Sequence, residues 1–328
     1  MKKKLTRILL PLILTATILF LFLRRTPATE ISEAFKSLGF KAVAAFVCLA
    51  LLATLLRSWR YSILLDSRIS FGNLFLITLV RNFSVDLLPA RSAALIFYSY
   101  FTRKHGIRLE DGASSFVISL FYDTLALGLL LSGLLFYVSG NLNSKVLAIA
   151  TLVILIVSAA AIFLSQPILK TATSWSLVKR TGKLHSSLLA VSAYLQKRNK
   201  AGERLLVLFL SMIIRTIKYL SLFLLFRQLA PVDFNLKAIA DFTFGLAATE
   251  LSALIPVQGL AGIGTWEAVF SLVFSHITPP LKNPFLIGLV IHLTTQAWEY
   301  LIGLTAFLYL ALSKRKNTSE EAETVKTK

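Results

Sequence analysis

Long apolar runs recur along the chain from Ile8 to Leu310, and only short polar breaks separate them. A helix needs roughly 20 apolar residues to cross the hydrocarbon core of a bilayer, which is about 30 Å thick. Hydrophobic residues make up 56% of the chain, against about 45 to 50% in soluble domains, so they are too many for one soluble core. The runs therefore predict an all-α, polytopic integral membrane protein with a single transmembrane domain over residues 1–316.

Six of the runs are uninterrupted, and each predicts one full transmembrane helix. They cover residues 8–23, 42–56, 115–138, 146–164, 205–226 and 285–312. With six crossings, the basic segments at residues 2–7, 57–68, 103–108, 170–204 and 314–316 all fall on one side of the membrane. The positive-inside rule makes that side cytoplasmic. We therefore expect a multi-pass protein of the cell membrane with both termini in the cytoplasm.

The basic N-terminus and the run that follows it are compatible with a signal peptide or with a first membrane anchor. The run at residues 8–23 is long for the apolar region of a signal peptide. The residues after it, Arg24-Arg25-Thr26-Pro27, offer no small-residue cleavage site. The pattern favours the anchor.

Two further apolar stretches, at residues 71–101 and 238–277, are interrupted near their middle. We interpret both as helical hairpins that enter the membrane from opposite sides and face each other, because irregular backbone at membrane depth is tolerated where it lines a cavity. The alternative is eight to ten full spans. The turn residues are Pro89 in the first hairpin and Pro256, Gly259, Gly262 and Gly264 in the second.

The formal charge of +19 raises the question of nucleic-acid binding. Lysine and arginine concentrate between the apolar runs and are not interleaved with aromatic residues on a soluble face. This distribution is typical of membrane topology signals, so we expect no nucleic-acid partner.

The longest basic segment, residues 165–204, mixes leucine and valine with lysine and arginine. It predicts an amphipathic helix on the cytoplasmic side, either at the level of the lipid headgroups or packed on the domain as a loop helix. The polar tail at residues 317–328 is expected to be disordered.

Ionisable side chains inside the apolar runs indicate a functional interior, because a charge near the bilayer centre costs at least about 2.5 to 3.5 kcal/mol. Arg215 and Lys218 lie three residues apart on one helical face. Such a pair of cations requires an anion, either a carboxylate of the chain or a bound phosphate. For any one residue a structural ion pair is an equal alternative, whereas the whole set favours a polar cavity. The candidate carboxylates are Asp123, Asp241, Glu250, Glu267 and Glu299.

The break of the first hairpin carries Arg81, Asn82, Asp86 and Arg91. A guanidinium group and the free amides at the start of a helix both favour phosphate, so Arg91 is the first candidate for a phosphate contact. The alternative is that the Arg91 side chain extends to the membrane surface.

A polar stripe runs along the last span, where His292, Gln296 and Glu299 recur at helical spacing. It predicts a hydrogen-bonded stripe at a helix interface, with a proton relay as the alternative. The glycines before Glu267 do not follow a β-strand, so they indicate a tight turn rather than a nucleotide-binding loop. The sequence shows no nucleophile with a base and no metal-binding motif, so we expect no cofactor, no metal and no enzymatic activity.

Three segments carry a resemblance to a known family. They are Arg-Ser-Trp-Arg-Tyr-Ser-Ile-Leu-Leu at residues 57–65, the stretch from Asn82 to Pro89-Ala90-Arg91, and the stretch from Pro256 to Gly262-Ile263-Gly264-Thr265-Trp266-Glu267. From the second span onward the chain resembles the lysylphosphatidylglycerol synthase transmembrane family, a flippase-like membrane domain found alone or fused to a lipid-aminoacylating domain. The chain ends at Lys328, so the stand-alone form is expected. Where the family continues with Gly-Glu and then Arg after Arg91, this chain has Ala93-Ala94 and Phe97, which implies altered specificity or lost activity.

The resemblance and the charged interior together predict a flippase or other lipid-handling protein. Its ligand would be an anionic or aminoacyl-modified phospholipid, or a polyprenyl-phosphate, supplied by a separate lipid-modifying enzyme. Arg81, Arg91, Arg215 and Lys218 would bind the phosphate, while Asp123 and Glu267 would balance charge or bind a cationic headgroup. The alternatives are an intramembrane lipid-modifying enzyme, with Asp123 or Glu267 as general base, and a transporter of a small solute or ion.

Overall fold

A computed structural model of the chain describes residues 2–24, 26–87, 92–138, 144–174, 182–198, 200–250, 252, 259–277 and 281–313. The described part is 87% helical and contains twelve α-helices and no strand. The helices are α1 (Lys2–Leu23), α2 (Ala28–Ser37), α3 (Gly39–Leu64), α4 (Phe71–Phe83), α5 (Ser92–Lys104), α6 (Leu109–Leu134), α7 (Ser144–Ser174), α8 (Gly182–Lys197), α9 (Ala201–Leu229), α10 (Leu236–Glu250), α11 (Thr265–Ile277) and α12 (Pro284–Leu312). A short 3₁₀ turn, Leu135–Tyr137, continues α6, and another, Leu260–Gly262, precedes α11.

Five helices in the described ranges are long and apolar enough to cross a membrane: α3, α6, α7, α9 and α12. The count rises to six if α1 and α2, which meet at 96°, form one broken span. Among the five, α7 is the most apolar and the least buried, whereas α12 is the least apolar and the most buried. Apolar surface on α7 therefore faces lipid, and α12 lies inside the bundle. The fold confirms the predicted all-α, polytopic membrane protein.

Two helices are longer than the apolar runs that predict them. Helix α3 continues past residue 56 to Leu64 and carries Arg57 and Arg60 within it. Helix α7 continues past residue 164 to Ser174, into the segment that we interpreted as a cytoplasmic loop. The apolar runs end at the first polar residues, whereas the backbone hydrogen bonds of each helix continue past those residues. Pro167 lies inside α7 and does not end it. The tail at residues 317–328 lies outside the described residues.

Both interrupted stretches form two helices around a break. In the first, α4 and α5 pack against each other, and in the second, α10 and α11 do so. Helix α4 also packs along α12. The contact is close at Gly303, where an added Cβ would lie 2.2 Å from Phe83 Cβ and 3.0 Å from the carbonyl oxygen of Leu79. This glycine therefore sets the distance between the first hairpin and the last span.

Substituting Gly303 by alanine should destabilise the protein by about 1 to 3 kcal/mol, because the new methyl group must displace α4. Thermal unfolding in detergent measures the change. The matched control is Gly133→Ala in α6, where an added Cβ meets no atom within 4 Å. Equal unfolding temperatures for the two variants would contradict the close contact.

Helix α8 is fixed to the end of α3 by an ion-pair cluster. Asp66 accepts from Lys197 Nζ and from Arg198 Nη2, both at 2.6 Å, and Arg198 Nη1 also contacts Glu203 Oε1 at 2.8 Å. Burial acts to raise the pKa of Asp66, but the hydrogen bonds from Lys197 and Arg198 outweigh it and hold the pKa below its usual value. The basic segment is thus attached to the bundle.

Two apolar clusters occupy different levels of the bundle. The first apolar cluster includes Phe46, Leu131, Phe223, Phe226 and Phe274, and the second includes Tyr61, Leu74, Tyr98, Phe116 and Leu310. Along each of α3, α6, α9 and α12, one end belongs to the first cluster and the other end to the second. A layer of polar residues lies between them.

Candidate functional site

The polar layer encloses a cavity of about 190 Å³. Its depth follows from the position of its residues along the long helices. Asp123 is the middle residue of the span Leu109–Tyr137, and Arg215 is the middle residue of Ala201–Leu229. Glu299 lies one residue past the middle of Pro284–Leu312. The cavity therefore lies near the centre of the membrane-spanning region, where charged groups are most costly.

Arg215 and Lys218 share one carboxylate in the wall of this cavity. Arg215 Nη1 donates to Glu250 Oε2 at 3.1 Å, and Lys218 Nζ donates to Glu250 Oε1 at 2.5 Å. Glu250 is the last residue of α10, so the break of the second hairpin supplies the counterion. Of the five carboxylates proposed from sequence, Glu250 is the one that pairs with both cations.

Asp123 is neutralised by an arginine that the sequence analysis assigned to a basic surface segment. Arg60 Nη1 lies 2.5 Å from Asp123 Oδ1 and Nη2 lies 3.2 Å from Oδ2, which makes a two-point contact. Arg60 Nη1 also donates to Ser211 Oγ, and Arg215 Nε donates to the Asp123 carbonyl oxygen. Arg60 is 0% exposed. Its charge therefore fixes Asp123 inside the bundle and cannot act as a topology signal.

Arg57 and Arg81 converge on one neutral side chain. Their Nη1 atoms donate to Asn82 Oδ1 at 2.9 and 3.1 Å, and Asn82 Nδ2 donates to Thr54 Oγ1 at 3.1 Å. Within the described ranges neither guanidinium group has a carboxylate partner, and the Nε atom of each is buried without a hydrogen bond. Both arginines line the cavity. They leave hydrogen-bond donors there that no carboxylate of the described chain contacts directly.

Asp86 and Glu299 line the same cavity with the opposite charge. Neither carboxylate has a hydrogen bond or an ion pair in the part of the chain that the structure describes. Asp86 follows α4 at the break of the first hairpin, and Glu299 projects from α12. The cavity thus presents unpaired cations and unpaired carboxylates, a combination that suits a ligand with groups of both signs.

The turn before α11 is held in a conformation that requires glycine. Gly262 and Gly264 have φ of 79° and 91°, and an added Cβ on Gly259 would lie 1.9 Å from the Ile263 carbonyl oxygen. Thr15 of α1 accepts from the amide of Leu260 and donates to the Ile263 carbonyl oxygen. Gly259, Gly262 and Gly264 therefore lie in the turn that precedes α11, and Thr15 of α1 binds this turn through both hydrogen bonds.

Glu267 lies behind the cavity wall and holds the turn against α12. Its Oε2 accepts from the Gly264 amide at 2.6 Å, and its Oε1 lies 2.5 Å from His292 Nδ1. Gln296 Nε2 donates to the Ala261 carbonyl oxygen and to His292 Nε2, both at 2.7 Å. Because the amide of Gln296 donates to Nε2, the proton of His292 lies on Nδ1, toward Glu267. The stripe on the last span is therefore a hydrogen-bonded helix interface at His292 and Gln296.

The structure brings most of the sequence-predicted residues together. Arg81, Asn82, Asp123, Arg215, Lys218, Glu250 and Glu299 line the cavity. Glu267 is 0% exposed and contacts His292, which does line it. Asp241 is buried but lies away from the cavity. Arg91, Pro89 and Pro256 lie outside the described residues, so their predicted roles stay predictions.

Arg57 and Arg60 lie in the interior, although the sequence pattern places them in a basic segment at the membrane surface. The available signal was their spacing, because residues three apart on a helix share a face. An arginine pair that continues directly from an apolar run is compatible with a longer helix as well as with a membrane boundary. Here α3 extends two turns beyond the run and carries both arginines inward.

Comparison with known proteins agrees with this architecture. A family model described as Lysylphosphatidylglycerol synthase TM region matches residues 8–303. The match begins in the first span, earlier than the resemblance noted from sequence motifs. Searches of curated proteins and of solved structures gave no match. The matched range spans both broken-helix units and every described residue of the cavity, and the chain belongs to the Lysylphosphatidylglycerol synthase TM region family.

Proposed function

We propose that this protein is a flippase that moves a phosphate-containing lipid headgroup through the mid-membrane cavity. One observation carries the proposal: Arg57 and Arg81 face the cavity with buried donors and have no carboxylate partner in the described chain. A guanidinium group binds phosphate through paired, charge-assisted hydrogen bonds. A headgroup phosphate would supply a directly bound anion and acceptors for these donors.

The two carboxylates of the cavity, Asp86 and Glu299, indicate which kind of headgroup would bind. Asp86 and Glu299 offer acceptors without donors on the same cavity. An amino group on the headgroup would complement them, while the phosphate binds the arginines. The arrangement therefore favours an aminoacyl-modified phospholipid over a simple anionic phospholipid or a polyprenyl-phosphate, which would leave both carboxylates without a partner.

The cavity is large enough for a lipid headgroup but too small for the acyl chains as well. At about 190 Å³, the cavity is smaller than the roughly 300 to 1,000 Å³ of sites that enclose whole drug-sized ligands. Acyl chains must therefore stay in the bilayer while the headgroup crosses. The breaks of both hairpins border the cavity, through Asp86 and Glu250. Alternate opening of the two hairpins would give access from each side.

A liposome assay with headgroup-labelled lipids tests the proposal. We expect Arg81→Gln to slow movement of the preferred lipid at least about tenfold, because a charged hydrogen bond contributes about 1.5 to 3 kcal/mol. The assay compares lysyl-modified, anionic and zwitterionic lipids, and Arg91→Ala is a further arm. Arg103→Gln is the matched control, since Arg103 is exposed on α5. Equal rates for Arg81→Gln and wild type in folded protein would refute the phosphate assignment.

A small zwitterionic solute is the second candidate ligand, because a 190 Å³ cavity with unpaired groups of both signs also fits a free headgroup-sized molecule. Competition distinguishes the two. If water-soluble zwitterions saturate uptake and lipids do not compete, the protein is a solute transporter.

We further propose that a separate enzyme modifies the lipid and that this chain performs no chemistry on it. Asp123 is engaged by Arg60, and Glu267 is engaged by His292 and the Gly264 amide, which leaves neither as a free general base. Lipid masses should stay unchanged after incubation with the purified protein. The proposed location is the cell membrane with cytoplasmic termini, and labelling of terminal tags in intact cells against opened cells tests it.

A further inference from the structure

A second pocket, separate from the central cavity, lies between α6, α7, α8 and the start of α9. Its volume is about 410 Å³, and it shares no lining residue with the central cavity. Most of its wall is aliphatic or aromatic, with Val117 and Phe121 from α6, Ile162 and Leu169 from α7, and Leu195 from α8. The volume lies within the range of sites that hold a ligand of ordinary size.

Two residues of the lining carry buried polar atoms that have no hydrogen-bond partner in the described structure. Ser114 is 6% exposed and lines the pocket, yet its hydroxyl has no hydrogen-bond partner. Buried hydroxyl groups are normally satisfied, so the hydrogen bonding of this wall is incomplete within the described chain. Arg198 Nε, in the same lining, is also buried without a partner. Both residues belong to a lining that also contains Ser165, Gln166, Glu203 and Arg204.

One guanidinium group in the lining is available to a ligand. Arg204 is partly exposed, stacks 5.5 Å from the Phe163 ring, and has no side-chain hydrogen bond or ion pair in the described ranges. By contrast, the terminal nitrogens of Arg198 are occupied by Asp66, Glu203 and the Ile63 carbonyl oxygen. Arg204 is therefore the cationic side chain of this lining that can bind an anionic group.

The position of the pocket identifies the source of its ligand. Helix α7, which forms one wall, is the most lipid-exposed of the five spans, and Ile156 and Val157 on its outer face are 58% and 61% exposed. Helix α8 covers the pocket with its apolar residues Val191 and Leu195. An acyl chain can therefore enter from the bilayer beside α7, while its headgroup stays at the basic segment.

We propose that this pocket binds one acyl chain of an anionic membrane phospholipid, whose phosphate is held by Arg204. The lipid is a resident ligand that fills the space between α6, α7 and α8. This site does not depend on the proposed transport activity, because its residues are distinct from those of the central cavity. Occupancy would fix α8 against the bundle.

Photolabelling in nanodiscs tests the proposal. The probes are phosphatidic acid and phosphatidylcholine, each with a photoactivatable group in one acyl chain, and labelled peptides are mapped by mass spectrometry. We expect phosphatidic acid to label residues 113–122 and 161–169 about tenfold more than phosphatidylcholine does, and Arg204→Gln to remove that preference. Labelling at Ile156 and Val157 reports ordinary boundary lipid and should not depend on the headgroup.

Filling the pocket provides the matched comparison. Ala161→Phe and Ala113→Leu place new side chains in it from opposite walls and should lower labelling of the pocket at least fivefold, whereas Ala150→Phe on the exposed face of α7 should not. Two filling variants are used so that one misfolded protein does not decide the result. Pocket labelling that is equal in wild type and in a folded filling variant, or equal for the two lipids in wild type, would overturn the proposal.

Discussion

Replacing Arg60 by methionine should lower the free energy of unfolding by about 3 to 5 kcal/mol, because it leaves Asp123 as an uncompensated charge inside the bundle. Arg60 and Asp123 are 0% and 4% exposed, and two hydrogen bonds join them. Unfolding of the purified protein in mixed micelles measures the loss. This expectation rests on burial, since the same ion pair at the surface would contribute about 0 to 1 kcal/mol.

The partly exposed ion pairs of Arg68 provide the control for the Arg60→Met experiment. Arg68 is about half-exposed and contacts Asp66 and Asp111, so Arg68→Met should change the free energy of unfolding by less than about 1 kcal/mol. The double variant Arg60→Met/Asp123→Leu should recover most of the stability, because apolar residues can replace a buried pair at little cost. Equal losses for Arg60→Met and Arg68→Met would show that the Arg60–Asp123 pair is not buried as described.

The second large effect is expected at Glu267. Substitution by glutamine should cost about 1 to 3 kcal/mol and abolish transport, although the side chains have nearly the same shape. A carboxylate accepts from the Gly264 amide and from His292 Nδ1 at once. A glutamine has one acceptor and one donor group, so one of these two donors would face another donor. Reversing the proton of His292 moves the conflict to Gln296, whose amide donates on the other side of the ring.

Two measurements distinguish the effect of Glu267→Gln on stability from its effect on transport. Thermal unfolding reports the cost of the unsatisfied donor, and the liposome assay reports the cavity wall that His292 and Trp266 form. Gln296→Glu in the Glu267→Gln background restores an acceptor to His292 and should recover part of the stability. A Glu267→Gln variant with wild-type stability and wild-type transport would contradict the described hydrogen-bond chain.

Helical periodicity predicted which charged residues share a helix face, but it did not predict their partners on other helices. The spacing of Arg215 and Lys218 predicted a shared face and a shared anion, and Glu250 pairs with both. Which of five carboxylates would do so was not predictable, because the choice depends on where the end of α10 meets the middle of α9. The same limit applied to Asp123, whose partner is 63 positions away along the chain.

The fold class follows from the amino-acid sequence without any structure, because apolar runs of spanning length and a shortage of charge leave only a helical membrane protein possible. The two interrupted stretches are also visible in the sequence, where proline, glycine and charged residues stand together in the middle of an apolar run. Three features became visible only in the folded chain: Arg57 and Arg60 lie inside the bundle, Glu267 contacts the cavity wall through His292, and a second pocket forms between α6, α7 and α8. These outcomes depend on which helices become neighbours, and local propensity carries no information about partners distant in the chain.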